Sequence, residues 1–328
     1  MTVRAGIVGL GRWGRILVDS VAAEPSLKFV AAASRNPSAI ADYCAGRDIA
    51  LFGSLDALLA DGDIDALVIA TPHQQHFEQI MKAAKAGKHV FCEKPFTLTA
   101  KEAETALQTL AEAGLTVGIG HNRRFSPNTI ALKKDLADGR LGKPIHIDGQ
   151  FNVDLSGAAE NWRNSRAESP AGGMTSLGIH ILDAFIHLLG RVASVRTTSL
   201  HASLPFDIDD NTHVSMRFEN GCTGNLTTIA ATAMLWRLTV FGNRGWAEAE
   251  GFDSYRLTPV TGEPEHRSFS GYDYPAPQTI AAGLKAFAAA VEGGAPFPIS
   301  PEEIGHATTV LEAVIESAST GITIEIRS

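Results

Sequence analysis

The residues most able to do chemistry lie in His89-Val90-Phe91-Cys92-Glu93-Lys94-Pro95. Val90 to Cys92 suit a buried parallel strand, and a proline cannot continue one because it lacks the N–H that the ladder needs. The strand must stop near Glu93, which leaves Lys94 at its carboxyl end. In open α/β sheets, ligands bind outside the carboxyl ends of the strands. A lysine there can take a proton from a hydroxyl or return one to a carbonyl oxygen. It does both when partial burial or a neighbouring positive charge disfavours the ammonium form. Lys94 is therefore the first candidate for catalysis and for contact with a substrate.

A second group is Gly9-Leu10-Gly11-Arg12-Trp13-Gly14, which follows a short apolar run, Arg4 to Val8, and opens an apolar helix running to about Ala23. In that context G-x-G-x-x-G reads as a dinucleotide-binding turn. Gly9 allows the tight turn, Gly11 lets a pyrophosphate approach the backbone, and Gly14 lets helix and strand pack closely. The free N–H groups at the helix start hold the phosphates. About 20 residues on, an NAD-binding unit usually carries an acid for the ribose 2′-hydroxyl. Here the place is taken by Ser34, followed by Arg35. A hydroxyl and a guanidinium would receive a 2′-phosphate, so the expected cofactor is NADP; if Arg35 instead stacks on the adenine, NAD binds as well. Thr71, Pro72, His73 and His76 follow another strand and are expected to line the cofactor cleft. His73 and His76 lack a third ligand, so no metal is expected. Glu93 would hold Lys94 charged if it pointed at the amine; it is expected to face cofactor or backbone.

Further along, Ala171-Gly172-Gly173 precedes a helix over about Thr175 to Leu189. On that helix Ser176, His180, Asp183 and His187 fall at spacings of four, three and four, and share a face. A double glycine before a helix presenting His and Asp suits a backbone that passes close to a ligand, which favours a functional His180; for His187 the bland reading as a core or solvent histidine is preferred. Arg123, Trp162 and Arg163 are candidate substrate contacts, with packing or surface roles as the alternative.

The elements that must position these residues come in two patterns. Strands at Arg4 to Val8, Lys28 to Ala33, Ala66 to Ala70, His89 to Cys92 and Thr116 to Ile119 alternate with helices. Among the helices, Leu55 to Ala60 and Ala100 to Ala113 stand out, the latter with Thr99 and Glu102 in capping-box spacing. This predicts a doubly wound parallel sheet over residues 1–122. From residue 123 a helix over Asn128 to Asp138 leads to a strand at Ile145 to Asn152. Strands with near-alternating polarity follow the His180 helix: Val192 to Leu200, Thr212 to Phe218, Gly224 to Ala230, Trp236 to Phe241 and Trp246 to Glu250. They predict a second α/β domain, 123–328, with a largely antiparallel sheet. Helices at Thr279 to Glu292 and Pro301 to Ser319 complete it.

Composition sets the outer limits. The chain has 328 residues, 45% of them apolar and 20% charged, which is ordinary for a globular protein with a large core. With 28 basic and 36 acidic residues the net charge is −8, which argues against a nucleic-acid binder. Cys44, Cys92 and Cys222 are scattered, as reduced thiols in a cytoplasmic protein would be. The chain enters a strand at once, without a leader, and no apolar run reaches the length of a membrane span.

Taken in order, these motifs resemble the Gfo/Idh/MocA oxidoreductases, the glucose–fructose oxidoreductase and inositol dehydrogenase family. The resemblance rests on Gly9-Leu10-Gly11-Arg12-Trp13-Gly14, Ala70-Thr71-Pro72 with His76, Glu93-Lys94-Pro95, Asn122-Arg123-Arg124-Phe125, and Gly172-Gly173 ahead of Gly178-Ile179-His180-Ile181-Leu182-Asp183. It implies a Rossmann domain, a carboxy-terminal α/β domain with an open, mostly antiparallel sheet, and an active site between them. It also implies that Lys94 is the catalytic lysine beside the nicotinamide, often ahead of a cis proline, with His180 as its partner. Homodimers or homotetramers formed through the sheet are expected. Many members carry an aspartate where this chain has Ser176, two residues before Gly178. A serine holds no charge to orient the histidine; Asp183 would have to substitute from the next turn. The expected activity is hydride transfer between NAD(P) and a secondary alcohol or carbonyl of a sugar, cyclitol or related cyclic polyol. The alternatives are an NADP-sensing regulator without turnover and a redox-neutral lyase or glycosidase.

Overall fold

The computed structural model describes residues 2–60, 63–157, 162–272 and 274–326. The chain forms two compact units, Met1–Asn122 with Pro277–Gly305, and Arg123–Ala276 with His306–Ser328.

In the first unit six strands form a parallel sheet: β1 (Val3–Val8), β2 (Leu27–Ala33), β3 (Ala50–Phe52), β4 (Ala66–Ile69), β5 (His89–Cys92) and β6 (Val117–Ile119), in the order β3-β2-β1-β4-β5-β6. Between them run α1 (Arg12–Ser20), α2 (Ala41–Ala45), α3 (Leu55–Ala60), α4 (His76–Lys85) and α5 (Ala100–Glu112). The central strands are continuous apolar runs because helices cover both faces; all four residues of β4 are fully buried. The strand order reverses between β1 and β4, which makes that crevice the switch point of the fold. The capping of α5 is as the spacing predicts, with the Thr99 hydroxyl accepting the Glu102 N–H at 3.3 Å. The edge strand β3 is an addition to the five strands expected; three residues are too few to show a period.

A further, longer helix of this unit comes from far along the chain, at Pro277–Val291. Its fully buried Phe287 meets Phe91 of β5 edge-on, ring centroids 5.5 Å apart. Gly118 of β6 makes the room, since a Cβ there would lie 2.8 Å from Phe91 and 2.9 Å from Phe287. At the end of β6, the Asn122 amide donates to the Thr279 hydroxyl at 2.9 Å.

The second unit begins with α6 (Pro127–Ala137) and β7 (Pro144–Asn152). A π-helical turn, Met174–Gly178, then runs into α7 (Ile179–Leu189). Strands β8 (Val192–Leu200), β9 (Asn211–Phe218), β10 (Thr223–Ile229), β11 (Leu235–Gly242), β12 (Gly245–Glu250), β13 (Ser254–Pro259) and β14 (Glu265–Ser268) follow. The helix at Pro277–Val291 is α8 in chain order, and α9 (Pro301–Thr320) and β15 (Ile324–Glu325) end the series. The nine strands lie in the order β14-β13-β12-β11-β7-β10-β9-β8-β15. Only β7 and β10 pair in parallel; all the other neighbours are antiparallel. β13, β14 and β15 add to the expected set.

Helix α7 is mostly apolar, apart from His180, Asp183 and His187, and almost wholly buried, as a helix pressed into a core tends to be. It crosses β7 at Gly149, where a Cβ would lie 2.3 Å from Ile181 and 2.7 Å from Phe185. Burying each such side chain contributes about 1.5–3 kcal/mol. The opposite face of the sheet is polar, with His213 bonded across to Thr227 and Ser215 to Asn225.

His306 of α9 is buried, and its Nε2 accepts the Val192 N–H at 2.9 Å. Burial, helped by Arg191 and opposed by Glu219, lowers its pKa from 6.5 to about 4. Between these values the unfolded chain binds the proton and the folded chain does not. The contribution is thus complete above pH 6.5 and is lost as the pH falls toward 4; it amounts to about 3 kcal/mol. His306→Gln keeps an acceptor but cannot titrate. Urea unfolding between pH 7 and 4 is expected to show a flatter dependence of stability on pH in that variant.

Candidate functional site

The glycine turn is built by three close approaches. Gly9 has φ +93°, and a Cβ on it would lie 2.4 Å from the Ala70 carbonyl and 2.7 Å from the Thr71 nitrogen. The turn therefore rests against the end of β4, and only glycine fits. Gly14 lets α1 settle on the turn, since its Cβ would meet the Gly9 oxygen at 2.3 Å. At Gly11 a Cβ would meet nothing within 4 Å. No side chain caps α1, whose first turn has no acid. Its first N–H groups thus offer an anion the usual partners at a helix start, so the turn fits a pyrophosphate. Arg12 is exposed, Trp13 half-buried and Leu10 buried.

At the end of β2, the Ser34 hydroxyl accepts the Asn36 N–H at 3.1 Å, and Ser34 N–H donates to the Phe52 carbonyl at 3.1 Å. The hydroxyl thus helps to form the turn that holds Arg35, which is exposed.

At the end of β4, the Thr71 hydroxyl lies 2.7 Å from Gln79 Oε1 and Pro72 leads into a short turn. The buried His73 ring stands edge-on to that of His76, centroids 5.8 Å apart. His76 is fully buried, with Nδ1 2.8 Å from the Pro95 oxygen and Nε2 3.0 Å from the Thr71 oxygen. Burial lowers its pKa, Lys94 adds to the effect, and the carbonyls oppose it. Both nitrogens thus face backbone carbonyls.

At the end of β5, Glu93 N–H donates to the Ile69 carbonyl at 2.8 Å. The Glu93 carboxylate lies over Gly120, where a Cβ would be 2.4 Å from Oε1. Its Oε2 accepts the Lys94 backbone N–H at 3.4 Å. Lys94 is half-buried and is followed by a cis peptide bond to Pro95. Cys92, buried below it, has its thiol pKa pushed well up by burial and then by Glu93, so it is no nucleophile at neutral pH. Gly120 and Gln79 were missed by sequence reasoning. Gln79 had a signal, its place one turn after His76 on the same helix face; Gly120 had none beyond its place at a strand end.

In the second unit His180 is buried, its ring 5.9 Å from that of Phe151. Phe151 also forms one wall around Arg123, whose guanidinium lies 3.4 Å from the Phe252 ring centroid, 4.6 Å from Trp236 and 5.4 Å from Phe151. Arg123 also donates to the Gly251 carbonyl at 3.0 Å. Burial pushes its pKa well down, yet a guanidinium keeps its charge, and aromatic faces stabilise it. Arg123 is thus packed as a caged cation. Trp162 and Arg163 are half-buried and stack on each other at 4.1 Å.

Asp183 forms an ion pair inside the unit. Its carboxylate takes two prongs from Arg124, Nη2–Oδ1 at 2.7 Å and Nε–Oδ2 at 2.9 Å, with both side chains almost inaccessible. Arg124 also reaches His187 Nδ1 at 3.2 Å. The charge expected to orient His180 is therefore engaged by an arginine. The four-residue helix face is also modified, because Ser176 lies in the π-helical turn, where the repeat is not that of an α-helix. Among the described residues no group of three or more His, Cys, Asp or Glu could hold a metal ion, and no helix is long and apolar enough to cross a membrane.

Comparison with known proteins gives a consistent picture. Residues 3–121 match the model of an oxidoreductase family with an NAD-binding Rossmann fold, and residues 129–248 match the GFO/IDH/MocA C-terminal domain. Inositol 2-dehydrogenase of Rhizobium meliloti (strain 1021) is 29% identical over 97% of this chain and 98% of its own length. The 1,5-anhydro-D-fructose reductase of Ensifer adhaerens is 27% identical over 97% of this chain and 99% of its own. A solved levoglucosan dehydrogenase, in complex with NADH and levoglucosan, has the same fold with a TM-score of 0.91 at 20% identity, covering 100% of both chains.

The pair Arg124–Asp183 gives a direct test of packing in the second unit. Removing one partner leaves a buried charge unpaired, which costs about 3–5 kcal/mol. Asp183→Asn and Arg124→Met are each expected to lower stability by that order in urea unfolding. The double variant Arg124→Met with Asp183→Leu is expected to recover part of the loss.

Proposed function

The chain belongs to the GFO/IDH/MocA oxidoreductase family, and on that premise we propose that it transfers a hydride reversibly between NADP(H) and a secondary alcohol or its carbonyl on a sugar, cyclitol or related cyclic polyol. One observation carries this reading. The phosphate cradle and a half-buried lysine lie at the carboxyl ends of β1, β4 and β5, neighbours in one sheet. Gly9 touches the end of β4, and His76 joins that end to the residue after Lys94. A bound nicotinamide supplies the hydride acceptor or donor.

The residues of the chain do the rest. Lys94 takes the hydroxyl proton in oxidation and returns it to the carbonyl oxygen in reduction. His180 hydrogen-bonds the reacting oxygen, and Ser176, Trp162 and Arg163 contribute to substrate selection. The cradle at Gly9 to Gly14 holds the pyrophosphate, with Thr71, Pro72, His73 and Glu93 shaping the cofactor side. Arg35, exposed beside the Ser34 turn, pairs with a 2′-phosphate, which is the basis for favouring NADP over NAD. The polar face of the second sheet serves self-association into a dimer or tetramer, and the protein works in the cytoplasm. The names of the inositol and anhydrofructose relatives support a polyol substrate.

Fluorescence titration with NADPH and NADH tests the cofactor. The preference for NADPH is expected to be about tenfold or more, the value of a charged hydrogen bond, and to vanish in Arg35→Ala. Equal affinities in the wild type would overturn the preference. With a panel of inositols and 1,5-anhydro sugars, Lys94→Ala is expected to lower turnover by about 10²–10⁴-fold and to leave cofactor affinity within a few-fold. Near-normal turnover would reject the role of Lys94.

A further inference from the structure

We infer that His76 is a positioning residue, whose buried ring fixes the backbone from which Lys94 projects by bonding the carbonyl of Pro95 and meeting that of Thr71. The inference rests on the reading of Lys94 given above. The last ladder bonds of β5 are Glu93 N–H to the Ile69 carbonyl at 2.8 Å and Gly120 N–H to the Cys92 carbonyl at 2.9 Å. Lys94 lies just past them. The Pro95 carbonyl, 2.8 Å from His76 Nδ1, is a fixed point immediately beyond it. Lys94 is therefore spanned by the ladder on one side and by a histidine on the other.

The mount of this histidine is rigid. His76 is the first residue of α4 and is fully buried. Thr71 sits against the same helix, its carbonyl 3.0 Å from the His76 ring and its hydroxyl bonded to Gln79 at 2.7 Å. Thr71 in turn borders the glycine turn, where a Cβ on Gly9 would lie 2.7 Å from its nitrogen. One side chain thus relates the Lys94 turn to the phosphate turn. A neutral imidazole has a single N–H. The inference places it on Nδ1, 2.8 Å from the Pro95 carbonyl; a second bond, to Thr71, then forms only in the doubly protonated ring.

Asparagine places an amide nitrogen where Nδ1 stands, and glutamine places one where Nε2 stands. The test compares His76→Asn, His76→Gln and the wild type by the rate at which trinitrobenzenesulfonate labels each lysine, read by peptide mass spectrometry, with and without NADPH. Lys94 is expected to label at the wild-type rate in His76→Asn. In His76→Gln it is expected to label about two- to tenfold faster, as one neutral hydrogen bond restraining a local opening implies. Lys82 and Lys101 are expected to be unaffected in both. An unchanged Lys94 rate in His76→Gln would overturn the inference, and so would equal acceleration of Lys82, Lys94 and Lys101 in both variants, the mark of a purely structural histidine. Protection of Lys94 by NADPH in the wild type is a separate readout. Its absence would overturn the reading of Lys94 while leaving the comparison of the two variants valid as a measure of the turn.

Discussion

The constraint on which the nucleotide end of the first unit depends is the contact of the Gly9 backbone with the end of β4. A methyl group on Gly9 would sit 2.4 Å from the Ala70 carbonyl, at a backbone angle that already disfavours any side chain. Because that contact is made, α1 starts over the switch point of the sheet, with open space where a Cβ on Gly11 would stand. Because Thr71 lies at the same contact, α4 can anchor it through His76 and Gln79, and the same histidine reaches Pro95. The glycine turn, the β4 turn and the lysine turn form one connected structure, in which each part limits the movement of the next.

The second unit follows a different logic. There a buried, apolar α7 is pressed on β7 at a glycine, and charges inside the unit are neutralised by neighbours of the right shape. Asp183 has the planar fork of Arg124, and Arg123 has three aromatic faces. Neither arrangement adds much over a well-packed apolar core. Each is costly to break, however, and each fixes one of the two central residues of the Asn122-Arg123-Arg124-Phe125 segment. The histidine of α7 is thereby held in a firm surround, with Phe151 shared between it and the caged arginine.

Much of this was legible in the sequence, for identifiable reasons. The proline after Lys94 stops a strand by a local rule, and the glycine turn has a spacing that few other structures require. Buried parallel strands such as Ala66-Leu67-Val68-Ile69 show as uninterrupted apolar runs. What could not be read depends on contacts between distant segments. The three residues of β3 are too short for a pattern, and the charged β14 lacks the alternation of a half-buried strand. The packing of Phe287 on Phe91 joins residues almost two hundred positions apart. The neighbours of Asp183 and Arg123 could not be read either, since Arg124 and Phe151, Trp236 and Phe252 are brought to them only by the fold. The π-helical turn at Met174–Gly178 is invisible in a helical pattern, since it alters the register without altering composition.

The borders of the two sheets carry a consequence of their own. The second sheet ends on one side at β15, which pairs through two residues, and on the other at β14, Glu265-His266-Arg267-Ser268, whose Glu265 is bound to both Arg140 and Arg267. A free strand edge is a template on which other chains can add. A two-residue margin gives such a chain too little to hold, and a margin of charges already paired with their neighbours repels an apolar strand. The margins of the broad sheet are in this way guarded against lateral growth into fibrils.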